Sequence, residues 1–279
     1  MVTSVACIQK FREDFRFRLA AETINQYELA VKQLLYCCKK PFDEITARDI
    51  RRWMLQLDSS GYKAVTVKTK LAGIKLFYMY CLEEELRKDN PVELVPFPFV
   101  EEPLPRYLQT EELEKLRMFV KERSQERALI EVLYATGIRV GELAGMKKED
   151  INWPERIIHI PNGKRKKARI VLFTRSCKEH LEAYLDERED DLPFAFINTT
   201  KSGPVCIRTV QLIFETYTKH LGIRLTPHTL RHTFAAHLAL KGMPLDCIQV
   251  LLGHEGPHQT QLYARLYSHA RKQKYDEWM

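Results

Sequence analysis

The stretch that most constrains this chain runs from Asn90 to Arg106, where Pro91, Pro96, Pro98, Pro103 and Pro105 recur with no helical period. Proline lacks a backbone N–H and disfavours helical backbone in the residue before it, so no helix or central strand continues through this segment. It reads as a stiff, extended linker. The reading divides the 279 residues into an N-terminal part, 1–99, a linker at 100–107, and a C-terminal part, 108–279. Each part is long enough to bury its own core. Such a segment serves either as a hinge between the two parts or as a plain spacer, the simpler role.

Before the linker the periodicity is helical throughout. Phe11, Phe15 and Leu19 repeat at four residues, and Ile24, Tyr27, Val31, Leu34 and Leu35 continue the pattern over 21–38. Thr46 and Asp49 have capping-box spacing ahead of Ile50, Trp53 and Leu57, with Gly61 closing that helix. Val67, Leu71, Ile74, Phe77 and Tyr78 mark a helix over about 66–86. Four amphipathic helices predict a small all-α domain. Arg48, Arg51, Arg52, Lys68, Lys70 and Lys75 lie between the apolar stripes. A solvated face explains any one of them; as a set they suit the tracking of phosphates.

The C-terminal part mixes helices with one hairpin. A helix over 123–135 breaks at Thr136-Gly137-Ile138-Arg139, where Gly137 supplies positive φ, and a new helix starts at Val140. Arg156–Ile160 and Arg169–Leu172 have strand character around a tip carrying Lys164, Arg165, Lys166 and Lys167. That tip reads as a solubilising turn or a finger for a nucleic-acid groove. Phe194–Ile197 suggests a further short strand, and a last helix is expected to start at Gln259 and carry Tyr263. Thr226 caps a helix whose first position is Pro227, and His228 and Arg231, three apart, share a face in its first turns. A guanidinium and an imidazole there suit an anion.

The formal charge of +7 favours a polyanionic partner only weakly. Seven cysteines, an odd number with no C-x-x-C pair, point to a reduced, cytoplasmic protein without a disulfide framework or zinc knuckle. No apolar run approaches the length of a membrane span, and residues 1–14 turn charged too early for a secretory signal. No G-x-S-x-G elbow or Walker loop occurs. Arg139, Lys164, His228, Arg231, His254 and Tyr263 remain as cations, imidazoles and a phenol. That set suits phosphodiester chemistry without a metal or other cofactor: arginines bind non-bridging oxygens, a lysine or imidazole protonates the leaving alkoxide, and a tyrosine attacks phosphorus. A metal hydrolase built on His228, His232 and His254 lacks carboxylate partners at metal spacing.

Four blocks in this order, Ala135–Leu143, Pro227–His232, Leu252-Gly253-His254 and Tyr263, resemble the catalytic domain of the tyrosine recombinase (phage integrase) superfamily. The resemblance covers roughly 104–270, and the N-terminal helices look like that family's core-binding domain. The compact length is most similar to Xer-type recombinases and small mobile-element integrases. The implied fold is mainly α: a four-helix core-binding domain plus a mixed α+β catalytic domain with a small β-hairpin or sheet. By the resemblance, Arg139 and Arg231 clamp the scissile phosphate. Lys164 is the general acid, with Lys166 and Lys167 as rivals where the family often has Gly-Lys-Gly. His228 assists proton transfer, His254 bonds the phosphate, and Glu142 supports the arginine and histidine. Tyr263 attacks, with Tyr267 and Tyr275 as rival phenols; His232 and His237 are expected to pack or cap. The resemblance also implies double-stranded DNA as partner, a tetramer on two DNA sites with residues 268–279 docking on a neighbour, and an accessory or sister recombinase. A DNA-binding regulator without chemistry and a type IB topoisomerase-like strand cleaver are the alternatives.

Overall fold

The computed structural model describes residues 3–100, 104–161, 168–253, 256 and 258–278, without the side chains of 258, 269, 273–275, 277 and 278. It resolves into two compact units, Met1–Glu101 and Glu102–Met279.

The first unit holds α1 (Ser4–Phe15), α2 (Ala21–Cys38), α3 (Ala47–Ser59) and α4 (Ala64–Glu83). The capping box expected at Thr46 and Asp49 is formed in both directions, which fixes the start of α3. The stripes converge on an aromatic core in which Phe11, Phe42, Phe77 and Tyr78 are nearly or wholly buried. Gly73 lets α4 approach α2 closely, because a Cβ there would stand 2.8 Å from Cδ1 of Tyr27. Arg48, Arg51, Arg52 and Lys68 are exposed. Lys70 and Lys75 are half-buried: Lys70 donates to Gln33 at 2.7 Å, and the Lys75 ammonium lies 4.5 Å from the centroid of Phe97.

The second unit runs α5 (Thr110–Phe119), α6 (Ser124–Thr136), α7 (Val140–Ala144), β1 (Ile151–Asn152), β2 (Ile157–Ile160), β3 (Arg169–Leu172), α8 (Arg175–Asp186), α9 (Ile207–Leu221), α10 (Pro227–Leu240), α11 (Leu245–Leu252), α12 (His258–Gln261) and α13 (Ala264–Trp278). Buried α6 packs on α8 and α10. Its Glu131, 1% exposed, takes a fork from Arg117 at 2.7 and 2.8 Å and an ion pair from Arg127 at 3.0 Å. The strands form one antiparallel sheet, with Ile158 opposite both Ile151 and Val171, and Ile160 opposite Arg169.

Three sequence expectations need correction. Strand β2 begins at Ile157 rather than Arg156, because Arg156 takes left-handed backbone, φ 54°. Phe194–Ile197 forms no strand: Phe194 bridges Lys147 and Ile197 bridges Pro204, singly. Pro204 has no N–H with which to extend a ladder. Tyr263 lies between α12 and α13 rather than inside a last helix.

Candidate active site

Helix α10 starts as its sequence dictates. The Thr226 hydroxyl accepts the Thr229 amide at 3.0 Å, and Pro227 supplies the first helical position. Arg231, one turn in, is 4% exposed. Its guanidinium donates to the carbonyl of Gly137 and, at 2.7 Å, to that of Leu252. Those carbonyls lie where α6 and α11 end, each helix closed by a left-handed glycine, Gly137 and Gly253. A buried cation thus meets the negative ends of two helices. Gly137 tolerates nothing larger, since a Cβ would stand 2.5 Å from Phe234 and 3.0 Å from Leu252.

Arg139 is the residue before α7, on the corner that the glycine creates. Its Nη1 donates to Glu142 at 2.9 Å and its Nη2 to the Gly253 carbonyl at 3.1 Å. Glu142 also receives both Nη atoms of Arg169, each at 2.7 Å. Burial would raise this carboxyl, but the Arg169 fork and the Arg139 bonds prevail and hold it at about 2. Arg231 is lowered to about 9 by burial and by the neighbouring Arg139 charge. Arg139 and Arg169 bond the Glu142 carboxylate and Arg231 feels its charge, so three guanidiniums face one carboxylate's charge, and the surplus positive charge favours an anion. Arg139, Arg231, His228 and Thr226 line one cleft of about 830 Å³.

His228 is exposed at this cleft, and its ring stacks on that of His232 with centroids 5.1 Å apart. Partial burial and then the charges of Arg231 and Arg139 lower its pKa. Tyr263 is 1% exposed beside the cleft, in an apolar cluster with Phe234, Ala235 and Leu252. Burial raises its phenol, with the Arg231 charge pulling the other way. The phenol oxygen lies 2.6 Å from Nδ1 of His232. Burial, His228 and Arg231 bring His232 down to about 4, so its ring is neutral at neutral pH, and its tautomer sets which partner of this bond donates.

The structure thus brings Arg139, His228 and Arg231 to one cleft, with Tyr263 adjoining through His232. Lys164, Arg165, Lys166, Lys167 and His254 lie outside the described residues, as does the side chain of Tyr275. Sequence reasoning missed two residues. His232, expected to pack or cap, holds the phenol; its spacing of four from His228 was the available signal. Arg169, read only as the start of a strand beside the basic tip, grips Glu142 across 27 positions of chain, with no local signal.

Residues 106–269 match the phage integrase family model, and residues 7–88 match the phage integrase N-terminal SAM-like domain. The chain is 33% identical over 242 residues to tyrosine recombinase XerC of Bacillus licheniformis, covering 81% of this chain and 79% of that one. It is 32% identical over 224 residues to tyrosine recombinase XerA of Pyrococcus furiosus, covering 79% and 77%. Among solved structures, a XerA recombinase is 30% identical with TM-score 0.56 over 97% of each chain. The Tn1549 transposon integrase in complex with transposon right end DNA shares the fold, with TM-score 0.80 at 19% identity over 97% of this chain and 99% of that one. A lambda integrase tetramer bound to a Holliday junction does so with TM-score 0.77 at 22% identity, over 92% and 79%. With paired arginines, an imidazole and an adjoining phenol already in place, these matches close the question of kinship: the chain belongs to the phage integrase family, as a site-specific tyrosine recombinase.

Proposed function

We propose that Tyr263 cleaves one DNA strand by attacking the scissile phosphorus, giving a 3′-phosphotyrosyl ester and a free 5′-hydroxyl. The bond from phenol oxygen to phosphorus forms as the bond to the 5′-oxygen breaks. Arg139 and Arg231 bind the non-bridging oxygens, where negative charge develops. His228 assists loss of the phenol proton, His254 bonds the phosphate, and Lys164 protonates the departing 5′-oxygen. Rejoining reverses these steps. The ester keeps the energy of the broken bond, so neither a nucleotide nor a metal is consumed. The observation that carries this reading is the gathering of Arg139 and Arg169 on the Glu142 carboxylate and of Arg231 on two neighbouring helix ends, with a buried phenol beside them.

The N-terminal helices, residues 1–99, and the catalytic part, 108–279, each bind double-stranded DNA in this proposal. Arg48, Arg51, Arg52, Lys68, Lys70, Lys75, Arg165, Lys166 and Lys167 contact phosphates. Strand exchange proceeds in a tetramer on two DNA sites, with residues 268–279 docking on a neighbour and an accessory or sister recombinase assisting. The protein acts in the cytoplasm, at the nucleoid. The lambda integrase tetramer on a Holliday junction supports the assembly by analogy of fold.

The test is a suicide duplex, nicked so that cleavage cannot be reversed, built on a site that the protein selects from random DNA. Wild type accumulates a covalent adduct in the presence of chelator, and Tyr263→Phe binds the duplex without forming one. An adduct at wild-type yield in Tyr263→Phe refutes the assignment.

A further inference from the structure

Arg169 opens β3, next to the hairpin tip, and its side chain is 12% exposed. Its Nη1 and Nη2 reach the two oxygens of Glu142 in a fork that sets both the position and the plane of the carboxylate. Glu142 hands that order on. Its Oε1 accepts Nη1 of Arg139 at 2.9 Å, and its Oε2 accepts the Arg139 backbone N–H at 2.8 Å. Arg169 also lies against Gly253, whose Cβ, if it had one, would stand 2.8 Å from Cδ of Arg169. The Gly253 carbonyl is the acceptor of the other Arg139 nitrogen, Nη2. Both groups that hold the Arg139 guanidinium are therefore in contact with Arg169.

This arrangement resolves a competition. A buried carboxylate beside a phosphate-binding arginine draws that arginine into a paired fork of its own. Here the fork is already occupied by Arg169. Arg139 gives Glu142 one side-chain bond and keeps further N–H groups for an anion.

We infer that Arg169 is a positioning residue for strand cleavage: by saturating Glu142 and packing on Gly253, it holds the Arg139 guanidinium open toward the scissile phosphate. The inference rests on the proposal that Arg139 binds that phosphate.

The same suicide duplex tests it, with duplex affinity and single-turnover adduct formation measured separately. Arg169→Met is expected to slow adduct formation about 100-fold, the cost of a misplaced clamp, with duplex affinity nearly unchanged and Arg169→Lys intermediate. Arg169→Met/Glu142→Gln is expected to react no more slowly than Glu142→Gln alone, because Arg169 acts through that carboxylate. In Arg169→Met the carboxylate faces Arg139 and Arg231 without its fork and titrates nearer the ordinary range. The acid limb of the rate profile then moves to higher pH, which lost packing alone would not cause. A wild-type rate in Arg169→Met, or losses that multiply in the double variant, overturns the inference. If Arg169→Met does not fold, the double variant against Glu142→Gln decides. An adduct in Tyr263→Phe would sink the cleavage proposal instead, so the two failures are distinguishable.

Discussion

Replacing Gly137 with alanine strains the joint on which both arginines depend. The backbone there has φ 61°, where an L-residue costs about 1–2 kcal/mol. The new Cβ would also stand 2.5 Å from Cδ1 of Phe234 and 3.0 Å from Cδ2 of Leu252. Overpacking of this kind adds about 1–3 kcal/mol, so Gly137→Ala is expected to destabilise the second unit by about 2–5 kcal/mol. Gly222→Ala is the control: its φ is 64°, but its Cβ would meet nothing within 4 Å, so only the backbone cost applies. The difference between the two isolates the collision. The easiest relief is outward movement of α10, which carries Phe234. The same movement withdraws Arg231 from the Gly137 carbonyl, so adduct formation falls along with stability. Urea unfolding of both variants, followed by helical circular dichroism, measures the stabilities, and the suicide duplex measures the rate. Equal losses in the two variants, or a Gly137→Ala protein reacting at the wild-type rate, would refute the reasoning.

Two further outcomes concern stability. His228, His232 and His237 all have lowered pKa values through burial first, and His232 drops from 6.5 to about 4. Each binds a proton better in the unfolded chain, so their contribution is whole above about 6.5 and is lost as pH falls below it, for His232 down to about 4; a urea midpoint unchanged between pH 7.5 and 5 would contradict this. Glu131→Ala leaves Arg117 and Arg127 without their shared, 1% exposed carboxylate. A loss of about 3–5 kcal/mol is expected for such a broken buried pair, read from the shift in urea midpoint.

What the sequence determined by itself was whatever depends on near neighbours in the chain. The capping box at Thr46 and Asp49, the cap at Thr226 and the left-handed end at Gly137 involve groups within four positions, so composition and spacing suffice to place them. Arg139, Arg231 and His228 were legible as candidates because each stands on such a joint, in blocks that resemble a known family. The tertiary structure decided which groups meet. Arg231 reaches carbonyls 94 and 21 positions away, and Arg169 reaches Glu142 across 27. Nothing local to either arginine encodes its acceptor. The same holds for Tyr263, whose family spacing marked it as a phenol of interest but could not tell that His232 rather than His228 holds its hydroxyl. Hydrogen bonds across a core are set by how helices pack, and packing depends on all the buried surfaces at once, which no short window of sequence contains.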